Sequence, residues 1–139
     1  MQLKSNETEA ANRAEATALL IRAGFRVYRP EADAYGEDLV IRTPDGELHP
    51  VQLKSRPTVN QSLYAELWML FPNPNQPIHG RDWYLVEHRK LFEWVKAKHG
   101  HAPKWKDAWS YPHASAALLT FLEPHSDKHW SEWTSLSRR

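Results

Sequence analysis

Two short segments of the chain combine residue types that are suited to phosphate chemistry. Asp38 stands at the head of the apolar run 39–41, and Gln52 and Lys54 lie beyond the next turn. The carboxylate of Asp38 is a ligand for a hard divalent cation, and the side-chain oxygen of Gln52 adds a neutral one. Lys54 can position or deprotonate a water and stabilise the charge that develops on a phosphate. The pattern therefore predicts metal-dependent hydrolysis of phosphodiesters.

A β-hairpin is the element that would hold these residues together. The run 38–41 ends at the turn sequence Thr43-Pro44-Asp45-Gly46, and a second strand is predicted within residues 48–56. Such a tight connection favours antiparallel pairing of the two strands. Side chains alternate along a strand, so Val51 and Leu53 share one face while Gln52 and Lys54 share the other. An acid at the head of one strand and a Gln-x-Lys on its partner then converge at one end of a sheet.

A helix over residues 6–23 is predicted to contribute a further carboxylate. The segment is rich in Ala, Glu, Arg and Leu, lacks Gly and Pro, and ends at Gly24. Its apolar stripe runs through Ala16, Leu19 and Ala23, and steps of three and four residues extend it back to Glu9. We therefore expect Glu9 to complete the metal site. Glu15, displaced by about 90° around the helix, remains the alternative.

The rest of the chain predicts further short elements of one α/β domain spanning residues 1–139. Strands are expected at 25–28 and 83–86, helices at 91–98 and 114–122, and a loop at 72–80. Residues 62–71 fit either a helix or a strand. We expect a core at about 6–100 and a Trp-rich, helical C-terminal extension at about 101–139.

The order of these elements and motifs resembles the PD-(D/E)XK nuclease superfamily, over about residues 6–100. Asp38 matches the family aspartate and Lys54 the family lysine, whereas Gln52 stands where most members carry Glu or Asp. The same departure occurs in some active homing endonucleases of the superfamily, and in its compactness the chain is similar to the small archaeal Holliday-junction resolvases.

The resemblance implies a restriction-endonuclease-like fold, in which a mixed central sheet is built as helix, three-stranded meander, helix and strand. It implies Mg²⁺ as cofactor, with Mn²⁺ as a substitute, and DNA as partner, cut by a homodimer. The implied catalytic residues are Glu9, Asp38, Gln52 and Lys54, and the first three are the implied metal ligands. Two alternatives stay open. One is a catalytically inactive module of the same fold that binds DNA or a protein partner; the other is a scaffold that oligomerises through its Trp-rich C-terminal third.

Charge gives a local rather than a global argument for DNA binding. The 18 Lys and Arg residues nearly balance 17 Asp and Glu, for a formal net charge of +1. Six cations and one acid, however, fall between Arg89 and Lys106. Because phosphates dominate nucleic-acid affinity, these cations are candidate contacts. The residues predicted to bind DNA are Arg56, Lys96, Lys98 and Lys104.

Composition also excludes several classes of protein. The chain has no cysteine, which excludes disulfide scaffolds, thiol nucleophiles and Cys-ligated metal sites. Its longest apolar run, residues 67–71, is far shorter than the roughly 20 residues of a membrane span. Residues 1–13 carry charges and no apolar stretch, unlike a secretory signal. We therefore expect a soluble, cytoplasmic protein without a membrane partner.

Overall fold

Residues 2–32 and 36–136 are described by the structure, a computed structural model, and they form a mixed α/β fold. The helices are α1 (Ser5–Arg22), α2 (Gln61–Tyr64), α3 (His88–His99) and α4 (Ala116–Leu122). The strands are β1 (Arg26–Tyr28), β2 (Leu39–Arg42), β3 (Leu48–Leu53), β4 (Thr58–Asn60), β5 (Trp68–Pro72), β6 (Trp83–Glu87) and β7 (Ala108–Ser110). Two 3₁₀ turns follow α4, at Glu123–His125 and Asp127–Glu132.

Helix α1 begins one residue earlier than the sequence pattern predicts. The N-cap is Lys4, and its backbone N–H donates to the carboxylate of Glu7, 3.0 Å away. This contact satisfies one of the unpaired donors at the start of a helix. The helix ends before Gly24, whose φ of +106° only glycine adopts without strain. Its early start places Glu9 within the second helical turn.

The central sheet is mixed, with the strand order β1-β2-β3-β5-β6. Strands β1, β2 and β3 form the predicted antiparallel meander, and β6 lies antiparallel to β5. The pair β3–β5 is parallel, so the chain must cross from one end of the sheet to the other between them. That crossover carries β4 and the one-turn helix α2. Residues 62–71, for which the sequence fits either element, therefore contain both a short helix and a strand.

Apolar side chains pack on both faces of the sheet, in two clusters separated by the strands themselves. Alternation along β5 sends Trp68 and Leu70 to one cluster and Met69 and Phe71 to the other. The first cluster includes the buried face of α1, and the second includes α3 and α4. Burial on both faces explains why β5 and β6 are continuous apolar runs rather than alternating patterns.

The C-terminal third is built into the core and does not form a separate helical extension. Trp130 and Trp133 are buried in the cluster that contains α1, and β7 pairs with β4 in a second, two-stranded sheet. The helix predicted at 114–122 is present as the shorter α4. Across the described residues, 2–32 and 36–136, we find no helix with the length and apolar character needed to cross a bilayer.

Candidate active site

A cleft of about 420 Å³ lies where the β2–β3 hairpin meets the first turns of α1. All four residues that the sequence singles out for catalysis contribute to its walls. The lining residues are Ser5, Thr8, Glu9, Asn12, Arg13, Asp38, Gln52, Leu53, Lys54 and Ser55. The structure therefore brings together residues that are up to 45 positions apart in the sequence (from 9 to 54).

Asp38 is fixed at the end of the hairpin by backbone contacts to β3. Its N–H donates to the carbonyl of Val51 at 2.8 Å, and its Oδ2 accepts from the N–H of Leu53 at 3.1 Å. The last pair of the ladder is Leu39 with Val51. The contacts of Asp38 with Val51 and Leu53 therefore hold its carboxylate beside the end of β3, next to the residues that flank Gln52.

Gln52 carries a buried oxygen without a partner. Its Nε2 donates to the carbonyl of Leu53 at 3.3 Å, while Oε1 accepts no hydrogen bond from any residue within 2–32 and 36–136. A buried acceptor left unpaired lowers the free energy of unfolding by about 1–3 kcal/mol. Such a cost is expected where a ligand satisfies the group in the functional state, and an amide oxygen is a suitable ligand for Mg²⁺. The environment of Gln52 thus fits a metal ligand.

Lys54 lies just after the end of β3, where its backbone still bonds to the sheet. Its N–H donates to the carbonyl of Leu70 at 2.9 Å, which fixes the backbone at the strand end. Its ammonium lies 5.1 Å from the ring centroid of Tyr64 on α2. A cation over an aromatic face is attracted to the electrons of the ring. The crossover helix therefore helps to hold the Lys54 side chain at the cleft.

Glu9, and not Glu15, is the α1 carboxylate that lines the cleft. Glu15 instead accepts two hydrogen bonds from Arg81, at 2.9 and 3.0 Å, and one from the Trp83 indole at 2.6 Å. Burial alone raises the pKa of Glu15, but these donors outweigh it and lower the pKa below the usual value. The choice of Glu9 from the phase of the apolar stripe agrees with this placement, and Glu15 serves the structure.

Two neighbours of Glu9 on the same helix face have no function assigned from the sequence. Asn12 is 9% exposed, and its Oδ1 accepts a hydrogen bond of 2.8 Å from Arg81. Arg13 has a buried Nε without a hydrogen-bond partner in the described part of the chain. Both line the cleft. Their positions three and four residues after Glu9 are the signal that could have identified them, because such residues share one face of a helix.

The predicted DNA-binding residues are absent from the cleft lining. Lys96 and Lys98 project from α3, where their ammonium groups lie 6.0 Å from the ring of Phe92 and 5.4 Å from that of Trp94. Lys104 and Arg56 are exposed on loops. None of these four cations lines the cleft, although Arg56 directly follows the lining residue Ser55, and their role in binding DNA stays a prediction.

The cleft contains fewer carboxylates than a metal site in which every protein ligand is anionic. Within residues 2–32 and 36–136, no group of three or more His, Cys, Asp or Glu side chains is placed to hold a metal ion. The cleft offers two carboxylates, Glu9 and Asp38, with the amide of Gln52 as the third oxygen donor. A hard cation would therefore find oxygen ligands there but less negative charge than usual.

Comparisons with known proteins do not assign the chain to a family. No family model, no curated protein and no solved structure matches it.

Proposed function

We propose that this protein is a metal-dependent DNA endonuclease, or a close relative that hydrolyses phosphodiester bonds. The observation that carries the proposal is the convergence of Glu9, Asp38, Gln52 and Lys54 on one cleft. Separate segments of the chain supply these residues: α1, the start of β2, and the end of β3.

The order of the elements supports a PD-(D/E)XK origin for this cleft. A helix, an antiparallel three-stranded meander, a crossover and a strand parallel to the third one follow each other in the chain. In that superfamily the aspartate lies on the second strand and the lysine on the third. Here Asp38 immediately precedes β2 and Lys54 immediately follows β3. The crossover helix is reduced to the single turn of α2, which is a departure from the expected core.

Asp38, Gln52 and Glu9 are the residues that would hold a divalent cation. When bound, Mg²⁺ or Mn²⁺ polarises a phosphoryl oxygen and lowers the pKa of a coordinated water. The cation would also satisfy the unpaired Oε1 of Gln52, which otherwise remains a destabilised buried acceptor.

Lys54 would act on the reacting phosphate, while Tyr64 and the backbone of Leu70 hold it in place. Its ammonium donates hydrogen bonds to the oxygens on which negative charge grows during attack by water. Because that charge is larger in the transition state than in the ground state, the interaction accelerates the reaction rather than only tightening binding.

A specific observation favours the second candidate, a catalytically inactive module that binds DNA or a protein partner. Gln52 replaces an anionic ligand, and the described residues contain no cluster of three acidic or His ligands. A protein of this fold that no longer binds a metal would keep the cleft and its polar groups. Metal binding therefore separates the two candidates.

Calorimetric titration of Mg²⁺ and Mn²⁺ into the wild type and Gln52→Glu tests the metal site. The added carboxylate should tighten metal binding, since a hard cation prefers anionic oxygen. Without metal it should lower the free energy of unfolding, because it places an unpaired charge where the amide oxygen is buried. Gln61→Glu is the matched control, because it adds the same charge at an exposed position away from the cleft. Equal metal binding by Gln52→Glu and Gln61→Glu would contradict the proposed ligand role of Gln52.

Nicking of supercoiled plasmid in Mn²⁺ tests the reaction itself. Lys54→Ala should abolish nicking while the thermal unfolding midpoint stays close to that of the wild type, because its role lies in the transition state. Lys128→Ala removes a charge from an exposed lysine outside the cleft and should keep wild-type activity. If neither the wild type nor Gln52→Glu nicks DNA, and Gln52→Glu binds no metal, the inactive module is the better description.

A further inference from the structure

The cleft contains hydrogen-bond donors that the proposed metal site does not use. Asn12 and Arg13 lie on α1, beside Glu9, and both line the cleft. Neither is used as a metal ligand or as a proton acceptor in the proposed hydrolysis. An arginine cannot lose its proton in a protein, so it brings a permanent positive charge.

The orientation of Asn12 is set by a chain of buried contacts. Trp83 and Arg81 both donate to Glu15, and Arg81 also donates to Oδ1 of Asn12 at 2.8 Å. Because the oxygen of the Asn12 amide is engaged by Arg81, its NH₂ group is the end that remains for the cleft. This side chain is nine-tenths buried.

Arg13 presents a second donor under similar conditions. Its Nε is buried and unpaired within residues 2–32 and 36–136. Arginine commonly binds phosphate through two parallel N–H donors, and Nε is one member of such a pair. An amide NH₂ and a guanidinium on successive helix residues therefore offer donors to an oxyanion that carries more than one oxygen.

We infer that Asn12 and Arg13 form a phosphate-binding subsite, which holds a backbone phosphate of DNA against the α1 side of the cleft. The inference rests on the proposed function for the identity of the anion as a phosphodiester. Asn12 and Arg13 bind oxygens of this phosphate, and Lys54 reaches the cleft from β3. The Arg81–Glu15 pair acts as a positioning device, because it orients the Asn12 amide without lining the cleft.

Arg13→Gln tests the subsite by the binding of a short fluorescein-labelled DNA duplex, measured by anisotropy in EDTA over a series of salt concentrations. If Arg13 neutralises one phosphate, its replacement should lower the log–log salt slope by roughly 0.9. Arg22→Gln is the matched control, since it makes the same change on the same helix about 14 Å further along its axis, at an exposed position. Asn12→Ala should weaken binding by roughly fivefold, the equivalent of one neutral hydrogen bond.

A direct readout is the ¹⁵N resonance of the Arg13 side-chain Nε–H in the full chain, titrated with the duplex and, separately, with inorganic phosphate. A shift that saturates with the duplex supports the inference; saturation with inorganic phosphate as well indicates that the anion alone is recognised. An unmoved resonance with both probes overturns it. Equal salt slopes for Arg13→Gln and Arg22→Gln also overturn it. Plasmid nicking is measured in a separate experiment. If the wild type binds DNA through Arg13 but does not nick plasmid, the proposed endonuclease activity is wrong and the proposed phosphate-binding subsite is supported.

Discussion

His88 makes the stability of the crossover that carries Tyr64 dependent on pH. The ring is fully buried at the start of α3, between the rings of Tyr64 and Phe92, and its Nε2 accepts the N–H of Asn60 at 3.0 Å. Burial penalises the charged ring and lowers its pKa from 6.5 to about 4. Between pH 6.5 and 4, His88 is therefore protonated in the unfolded chain but stays neutral in the folded protein. Stability is present in full above pH 6.5, is lost progressively as the pH drops from 6.5 towards 4, and changes little below that.

The size of this effect follows from the shift in pKa. A pKa lowered from 6.5 to about 4 corresponds to roughly 3 kcal/mol once the pH is below both values, and to most of that at pH 4.5. The perturbation is His88→Gln, which removes the titrating group and keeps an acceptor for Asn60. Between pH 7.5 and 4.5 the wild type should lose roughly 2–3 kcal/mol more unfolding free energy than this variant.

Urea unfolding followed by tryptophan fluorescence measures the difference at each pH. Other groups with shifted pKa values, such as Glu15, whose pKa is lowered, and Asp127, whose pKa is raised by burial, are common to both proteins, so their contributions cancel. The exposed His101→Gln is the control and should keep the pH dependence of the wild type. The reasoning is refuted if His88→Gln and the wild type lose equal stability on acidification.

Three further predictions concern the ion pair, the basic segment and the C-terminal core. Arg81→Met should lower the unfolding free energy, measured by urea titration, by about 2 kcal/mol. The reason is that the partly buried carboxylate of Glu15 then lacks its cation. A decrease below about 0.5 kcal/mol, which is typical of surface substitutions, would contradict this. A triple Gln variant replaces the predicted DNA-binding lysines Lys96, Lys98 and Lys104. Its salt slope for duplex binding should fall by roughly 0.9 for each phosphate that these lysines neutralise in the wild type, and an unchanged slope removes them from the interface. Trp130→Ala should cost about 3–5 kcal/mol by equilibrium unfolding, since it empties a fully buried site; a near-neutral result would mean that the C-terminal segment is not part of the core.

Local patterns are enough to predict most of the elements around the cleft. The Pro44-Asp45-Gly46 turn is a short-range signal, and Gly46 has a φ of +95°, a conformation that favours glycine. The alternation in β3 and the 3.6-residue stripe in α1 depend only on neighbouring residues, so the two elements can be predicted from their own periods.

Pairings between distant segments cannot be predicted in this way. Arg81 reaches Glu15 across 66 positions, and nothing near either residue indicates the pairing. The sequence places Trp130 in a C-terminal extension, because a segment of 3₁₀ turns has no periodicity that indicates a buried face. The ring of His99 stacks on that of Trp109 with the centroids 4.3 Å apart, and no local pattern indicates this contact. In each case the partner comes from tertiary packing.

The charge balance of the cleft explains how Gln52 can be compatible with catalysis. Two carboxylates, Glu9 and Asp38, are accompanied by two cations, Arg13 and Lys54, so the lining has no net charge. With an acid at position 52, the cleft would attract a cation strongly but would also repel a phosphate. With an amide, a phosphate held by Arg13 and Lys54 would supply the missing negative oxygen to the proposed metal site. Metal and DNA should therefore bind with positive coupling, each raising the affinity of the other by the same factor. Duplex anisotropy with and without Mg²⁺, set beside calorimetric Mg²⁺ titration with and without duplex, measures both factors, and independent binding of the two would refute this account of Gln52.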